Sequence, residues 1–195
     1  MKKIGLTGNI GSGKTTASKF FILLGIPVYN SDFRAKWLMS NDGDLKKSIV
    51  DYFGVESYSN NQLNTSFISS IVFKDVEKLN VLNSLVHPIV AVDFEKWCNQ
   101  QHEVAYVVKE AAVLFKSESY KSLDMIICVV ASDELRLKRV VKRDRMSESE
   151  VLARMNKQMD QSFLIDRCDF VVTNDETNLM TTQLLLINEV LLKDI

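Results

Sequence analysis

The sequence predicts an α/β protein built on a five-stranded parallel sheet flanked by helices. Three observations carry this expectation. Short continuous apolar runs rich in β-branched residues recur along the chain, and helical patterns separate them. Gly8-Asn9-Ile10-Gly11-Ser12-Gly13-Lys14-Thr15 fits G-x-x-x-x-G-K-[ST] at every fixed position. A strand pattern precedes that loop and a helix pattern follows it, the context in which such a loop folds around phosphate.

Each element can be justified in order. Residues 3–7 form the first strand, and residues 16–24 the helix after the glycine-rich loop. Gly25 stops that helix, and residues 26–30 make a second strand. Strands three, four and five are expected at residues 104–108, 125–130 and 170–174. Between the second and third strands the rhythm breaks. Residues 33–39 and 76–85 read as helices, and a third helix is expected to start at His87-Pro88. Asn41-Asp42-Gly43 and Ser57-Tyr58-Ser59-Asn60-Asn61 read as turns. We expect a core of residues 1–32 and 102–195, a helical insert at residues 33–101, and a mobile lid at about residues 140–160 of that core. The insert is either a substrate-holding unit or an enlarged helical layer.

Bulk properties exclude several classes. At 195 residues with 46% hydrophobic and 25% charged residues, the chain has the make-up of a globular protein able to bury a core. A net charge of −1 gives no drive toward nucleic acid or a membrane surface. No apolar run approaches the roughly 20 residues of a spanning helix, and a strand begins within the first residues, so neither membrane span nor signal peptide is expected. A cytoplasmic location is the default. Cys98, Cys128 and Cys168 are odd in number and far apart, with no metal-ligand spacing to His87 or His102. Cys128, inside the apolar run 125–130, reads as a small buried hydrophobe, and no redox or metal role is expected of any of the three.

The glycine-rich loop lets backbone N–H groups converge on a polyanion, and the following helix adds a partial positive charge. Lys14 is placed to reach β- and γ-phosphates, and the Thr15 hydroxyl to hold Mg²⁺. Asp32 follows the second strand at the carboxyl rim of the sheet. There it either takes the proton of an attacking hydroxyl or caps the helix from Phe33 onward. Glu110, read as just past the third strand, is either a carboxylate that orients Mg²⁺ through water or a solvated loop charge. In the stretch Arg136 to Arg145, six of ten residues are basic. Arg136, Arg139 and Arg143 form one helical stripe, beside an apolar stripe of Leu137, Val140 and Val141. The arginines are either a phosphate clamp or a solvated face. Ser147 and Glu150 fit a capping box at the start of the next helix.

The chain as a whole resembles the dephospho-CoA kinase family. The opening residues 4–16 are similar to the family's G-L-T-G-G-I-G-S-G-K-[ST]-T. Residues 24–32, Leu-Gly-Ile-Pro-Val-Tyr-Asn-Ser-Asp, look like its L-G-x-x-V-x-D-A-D stretch, and Leu85-Val86-His87-Pro88 matches its L-x-H-P. Arg139, Arg143-Asp144, Arg154 and Gln158 resemble its lid pattern. Asp169-Phe170-Val171-Val172-Thr173-Asn174 resembles its closing A-D-x-V-I-x-N.

The resemblance implies a nucleotide-kinase-like P-loop core, a helical domain for dephospho-CoA and a lid. It implies transfer of the γ-phosphoryl group of ATP to the ribose 3′-hydroxyl of dephospho-CoA, the last step of coenzyme A synthesis. The implied ATP-binding residues are Gly11, Ser12, Gly13, Lys14, Thr15, Thr16, Arg139 and Arg143, with Thr15 on Mg²⁺. Thr7, Asp32, Lys36 and His87 are implied on the acceptor side, and Asp32, Lys14 and Arg139 in catalysis. His87-Pro88 has a second reading as a purely structural helix start. Asn9, Asn30, Lys36 and the segment Ala112-Val113-Leu114-Phe115-Lys116 depart from the family pattern, Lys116 by reversing a charge that Glu110 is a candidate to offset. Another small-molecule or nucleoside monophosphate P-loop kinase is the alternative activity. Oligomeric state is not legible.

Overall fold

A computed structural model describes residues 1–193. Strand β1 (Lys2–Thr7) pairs in parallel on both sides, with β5 (Tyr106–Glu110) and β6 (Met125–Val130). Strand β2 (Val28–Asn30) lies beyond β5, and β7 (Phe170–Thr173) beyond β6. Among the described residues this makes one five-stranded parallel sheet, in the order β2-β5-β1-β6-β7. The expected fold class is therefore observed.

Alternation along the strands divides the core into two layers. Ile4, Leu6, Ile127 and Val129 face helices α1 (Lys14–Leu23) and α9 (Met180–Lys193), meeting Ala17, Phe21, Leu184 and Leu191. On the opposite face Ile126 packs with Ala111 and Leu114, while Cys128 and Val130 pack with Leu164 of α8 (Gln161–Ile165). Helices α6 (Asp133–Asp144) and α7 (Glu148–Met155) follow β6, and the Ser147–Glu150 capping box opens α7 as expected. Cys98 and Cys128 are buried and all three cysteines are free thiols.

The chain divides into two compact units, Met1–Tyr29 together with the chain from Gln101 on, and Asn30–Gln100. The second unit holds α2 (Ser31–Asn41), α3 (Gly43–Phe53), α4 (Thr65–Val72) and α5 (Val76–Cys98). Each of these helices starts on an Asn or Asp whose side chain accepts a first-turn N–H: Asn30, Asp42, Asn64 and Asp75. A two-stranded hairpin, β3 (Tyr58–Ser59) and β4 (Gln62–Leu63), interrupts them, turning on Asn60 and Asn61 with φ of 49° and 63°. The sequence showed the turn but not its two short strands.

Two expectations need correction. Strand β5 spans residues 106–110 and not 104–108, because its register against β1 runs from Lys2↔Tyr106 to Leu6↔Glu110. Glu110 is consequently the last residue of a strand and not a loop residue. His87-Pro88 does not start a helix either, since α5 runs unbroken through Pro88. Leu82, Val86, Val90, Phe94 and Cys98 form one buried stripe spanning both halves of α5. Pro88 and Ser84, whose carbonyl loses its partner, lie on the exposed side. Burial of that stripe outweighs the proline. Among the described residues no helix is long and apolar enough to cross a membrane.

Pro88→Ala restores the missing N–H inside α5. It is expected to raise unfolding free energy by about 2 kcal/mol, the interior-proline cost less the entropy gained by the unfolded chain, read from the urea midpoint.

Candidate active site

The glycine-rich loop leaves the carboxyl end of β1 and enters α1 at Lys14. It folds this tightly because two positions tolerate no side chain. A Cβ on Gly8, at φ 147°, would stand 2.3 Å from the Val129 carbonyl oxygen, and one on Gly13, at φ 111°, 2.3 Å from Asn174 Nδ2. Asn174 in turn donates from Nδ2 to the Ser12 carbonyl at 2.8 Å. Lys14 Nζ donates to the Gly8 carbonyl at 2.5 Å, folding its ammonium back over the loop. Helix α1 carries no acidic residue in its first turn, so nothing on it opposes an anion at its N-terminus.

Glu110 completes this end of the sheet. It is 6% exposed, accepts from Ser18 Oγ at 2.6 Å, and lies 3.5 Å from Thr15 Oγ1. The solvated-charge reading of Glu110 therefore fails. A hydroxyl and a carboxylate side by side are hard oxygen donors, and this pair fits Mg²⁺ that takes its remaining ligands from phosphate and water. Among the described residues no cluster of three or more His, Cys, Asp or Glu side chains forms a metal site on its own.

A cavity of about 140 Å³ opens beside the loop, lined by Thr7, Asn9, residues 112–116 and 157–159, and Leu164. Thr7 Oγ1 donates to the Ala111 carbonyl at 3.0 Å beneath it. Lys116 donates to the Lys157 carbonyl at 3.0 Å, which ties the segment after β5 to the turn after α7.

The arginines of α6 do not act as one stripe. Arg136 is 3% exposed and donates from Nε to the Ile10 carbonyl at 3.0 Å, from Nη1 to Asp133 at 2.6 Å and from Nη2 to Gln158 at 3.1 Å. Gln158 Oε1 also accepts the Ile10 N–H at 2.9 Å, and Asn9 Nδ2 donates to the Met159 carbonyl at 3.0 Å. Arg136 is thus a tether of the loop, and both the clamp and the solvated-face readings are corrected for it. Burial lowers its guanidinium's proton affinity, and Asp133 opposes that shift. Arg139 donates from Nη2 to the Asn174 carbonyl at 3.1 Å and to Glu176 at 3.2 Å, while its buried Nη1 has no hydrogen-bond partner. Arg143 spends its guanidinium on Asp144, at 2.7 and 2.9 Å. Sequence reasoning missed Ser18 and the tether formed by Arg136. Asn174 was signalled by its place just past β7 and by the closing motif, but its bond to the Ser12 carbonyl was not.

Asp32, Lys36 and His87 belong to the helical unit. The cap of α2 is Asn30, whose Oδ1 accepts the Phe33 N–H at 2.8 Å. Asp32 is not that cap. It is an exposed carboxylate in the first turn of α2. Lys36 is exposed one turn on, and His87 is half-buried in the middle of α5.

Arg136→Leu removes the tether from Ile10 and Gln158. Affinity for a nucleoside triphosphate, measured by calorimetry, is expected to fall about tenfold as the loop loses order, from the loss of hydrogen bonds to a charged group.

The family model described as dephospho-CoA kinase matches residues 2–179. The dephospho-CoA kinase of Chlorobium chlorochromatii is 37% identical over 181 residues, 89% of this chain and 85% of that protein. A solved Thermus thermophilus structure superposes with a TM-score of 0.82 at 29% identity, covering 100% of this chain and 97% of its own. The dephospho-CoA kinase from Campylobacter jejuni shares the fold, with a TM-score of 0.71 at 23% identity and coverage of 99% and 98%. With its phosphate loop, the Glu110–Thr15 pair and the arginine-bearing α6 in one unit, and a match along nearly its whole length, the chain belongs to the dephospho-CoA kinase family.

Proposed function

We propose that this protein transfers the γ-phosphoryl group of ATP to the ribose 3′-hydroxyl of dephospho-CoA, giving CoA and ADP. The observation that carries the acceptor half is the capping of α2 by Asn30, which leaves the Asp32 carboxylate exposed and uncommitted to the helix start.

In this reading the backbone of Gly11–Gly13, Lys14 and Thr16 hold the β- and γ-phosphates of ATP. Thr15 and Glu110 hold Mg²⁺, which when bound neutralises charge on the phosphate oxygens. Asp32 takes the proton of the 3′-hydroxyl as its oxygen bonds to the γ-phosphorus, and the bond from that phosphorus to the bridging oxygen of ADP breaks. Arg139, through its unpartnered Nη1, meets charge on the transferring phosphoryl group, and Arg143 joins it once drawn from Asp144. Thr7, Lys36 and His87 contact the acceptor, the helical unit of residues 33–101 carries it, and the segment of about residues 140–160 closes over the site to exclude water. A cytoplasmic setting belongs to the same reading.

A coupled assay of ADP release with Mg²⁺ tests it. Turnover is expected with dephospho-CoA, and turnover with a nucleoside monophosphate or shikimate in its place would overturn the assignment. Asp32→Asn is expected to lower kcat by about 10²-fold or more with the unfolding midpoint held, the usual general-base contribution.

A further inference from the structure

On helix α2, Asp32, Phe33, Lys36 and Trp37 are exposed, while Leu38 is buried. Their spacing of i, i+1, i+4 and i+5 puts them in one sector of the helix. Phe33 is 63% exposed and Trp37 43%. Two large aromatic residues one turn apart on water-facing surface are an unusual expense for a helix that already has a buried side.

The indole is also held in place. The Arg34 guanidinium lies over the Trp37 ring, 4.4 Å from its centroid, and is itself forked onto Asp93 of α5 at 2.8 and 2.5 Å. One face of the ring is therefore occupied by a cation anchored to a second helix, and the ring keeps a fixed orientation without being buried. A pre-oriented aromatic surface loses little freedom when a planar ligand stacks on it.

The acceptor chemistry names the ligand. The attacking hydroxyl sits on the 3′ carbon of a ribose that bears adenine on its 1′ carbon. When Asp32 takes the proton of that hydroxyl, the base must fall within one sugar ring of the carboxylate. Phe33 and Trp37 are one turn apart and neighbour each other on the flank of α2 that adjoins Asp32, and one sugar ring bridges from that carboxylate to the flank. The acceptor's pyrophosphate, on the 5′ side of the same sugar, meets the cation of Lys36 in the same sector.

We infer that Phe33 and Trp37 form the platform on which the adenine of the acceptor stacks, and so set specificity for a purine-bearing alcohol. The inference rests on the kinase reading above.

The test uses fluorescence and kinetics together. Trp37 and Trp97 are the chain's two tryptophans. In Trp97→Phe, Trp37 emission is expected to be quenched on titration with dephospho-CoA in the absence of ATP. It should be unchanged by 4′-phosphopantetheine, which lacks the adenine. Trp37→Ala should raise KM for dephospho-CoA about tenfold, with kcat and KM for ATP held within about twofold, and Trp37→Phe should recover most of the loss, as stacking on any aromatic ring predicts. Unchanged KM in Trp37→Ala, or equal quenching by both ligands, would overturn the platform while leaving the kinase reading intact. Absence of turnover of dephospho-CoA by the unsubstituted protein would overturn both.

Discussion

Everything at the phosphate end of this protein depends on β1 being hydrogen-bonded on both edges. Parallel pairing sets Leu6 opposite Glu110 and Thr7 opposite Cys128, so three chain segments leave the sheet at one rim. The glycine-rich loop departs there and packs its backbone on Val129. Because β5 is fixed to β1 residue by residue, Glu110 arrives beside Thr15 and Ser18 of α1. A carboxylate this buried is held by hydroxyl partners, and the same partners make the pair suitable for a divalent cation.

A second constraint acts on the loop from above. Asn9 and Ile10 are stapled to the Gln158–Met159 turn, with Arg136 closing the network from α6. The arginines of one helix therefore have different fates. Arg136 and Val140 are four residues apart and share the edge that packs down, so Arg136 is buried and committed. Arg139 stands off that edge and retains a guanidinium nitrogen without a partner. Helical geometry gives the two arginines different surroundings, within a stretch that reads in sequence as one undivided basic run.

The helical unit shows the same competition between local and tertiary preference. Its four main helices start where Asn or Asp precedes them, an outcome local chemistry explains. Asp32 was the expected cap of α2, and Asn30, two residues earlier, takes that place. Pro88 signalled a helix start by every local rule, yet the buried stripe from Leu82 to Cys98 carried α5 through it.

The sequence by itself determined the sheet class, the position of the phosphate loop, the capping box of α7 and the family, because each rests on short-range periodicity or on residues in a fixed order. Tertiary structure decided the register of β5, the burial of Glu110 and the split among the arginines. Those outcomes depend on which groups meet across the chain, such as Ser18 with Glu110 or Ile10 with Arg136, over separations of 92 and 126 residues. Local propensity carries no information about partners that distant, and burial energy, not spacing, selects them.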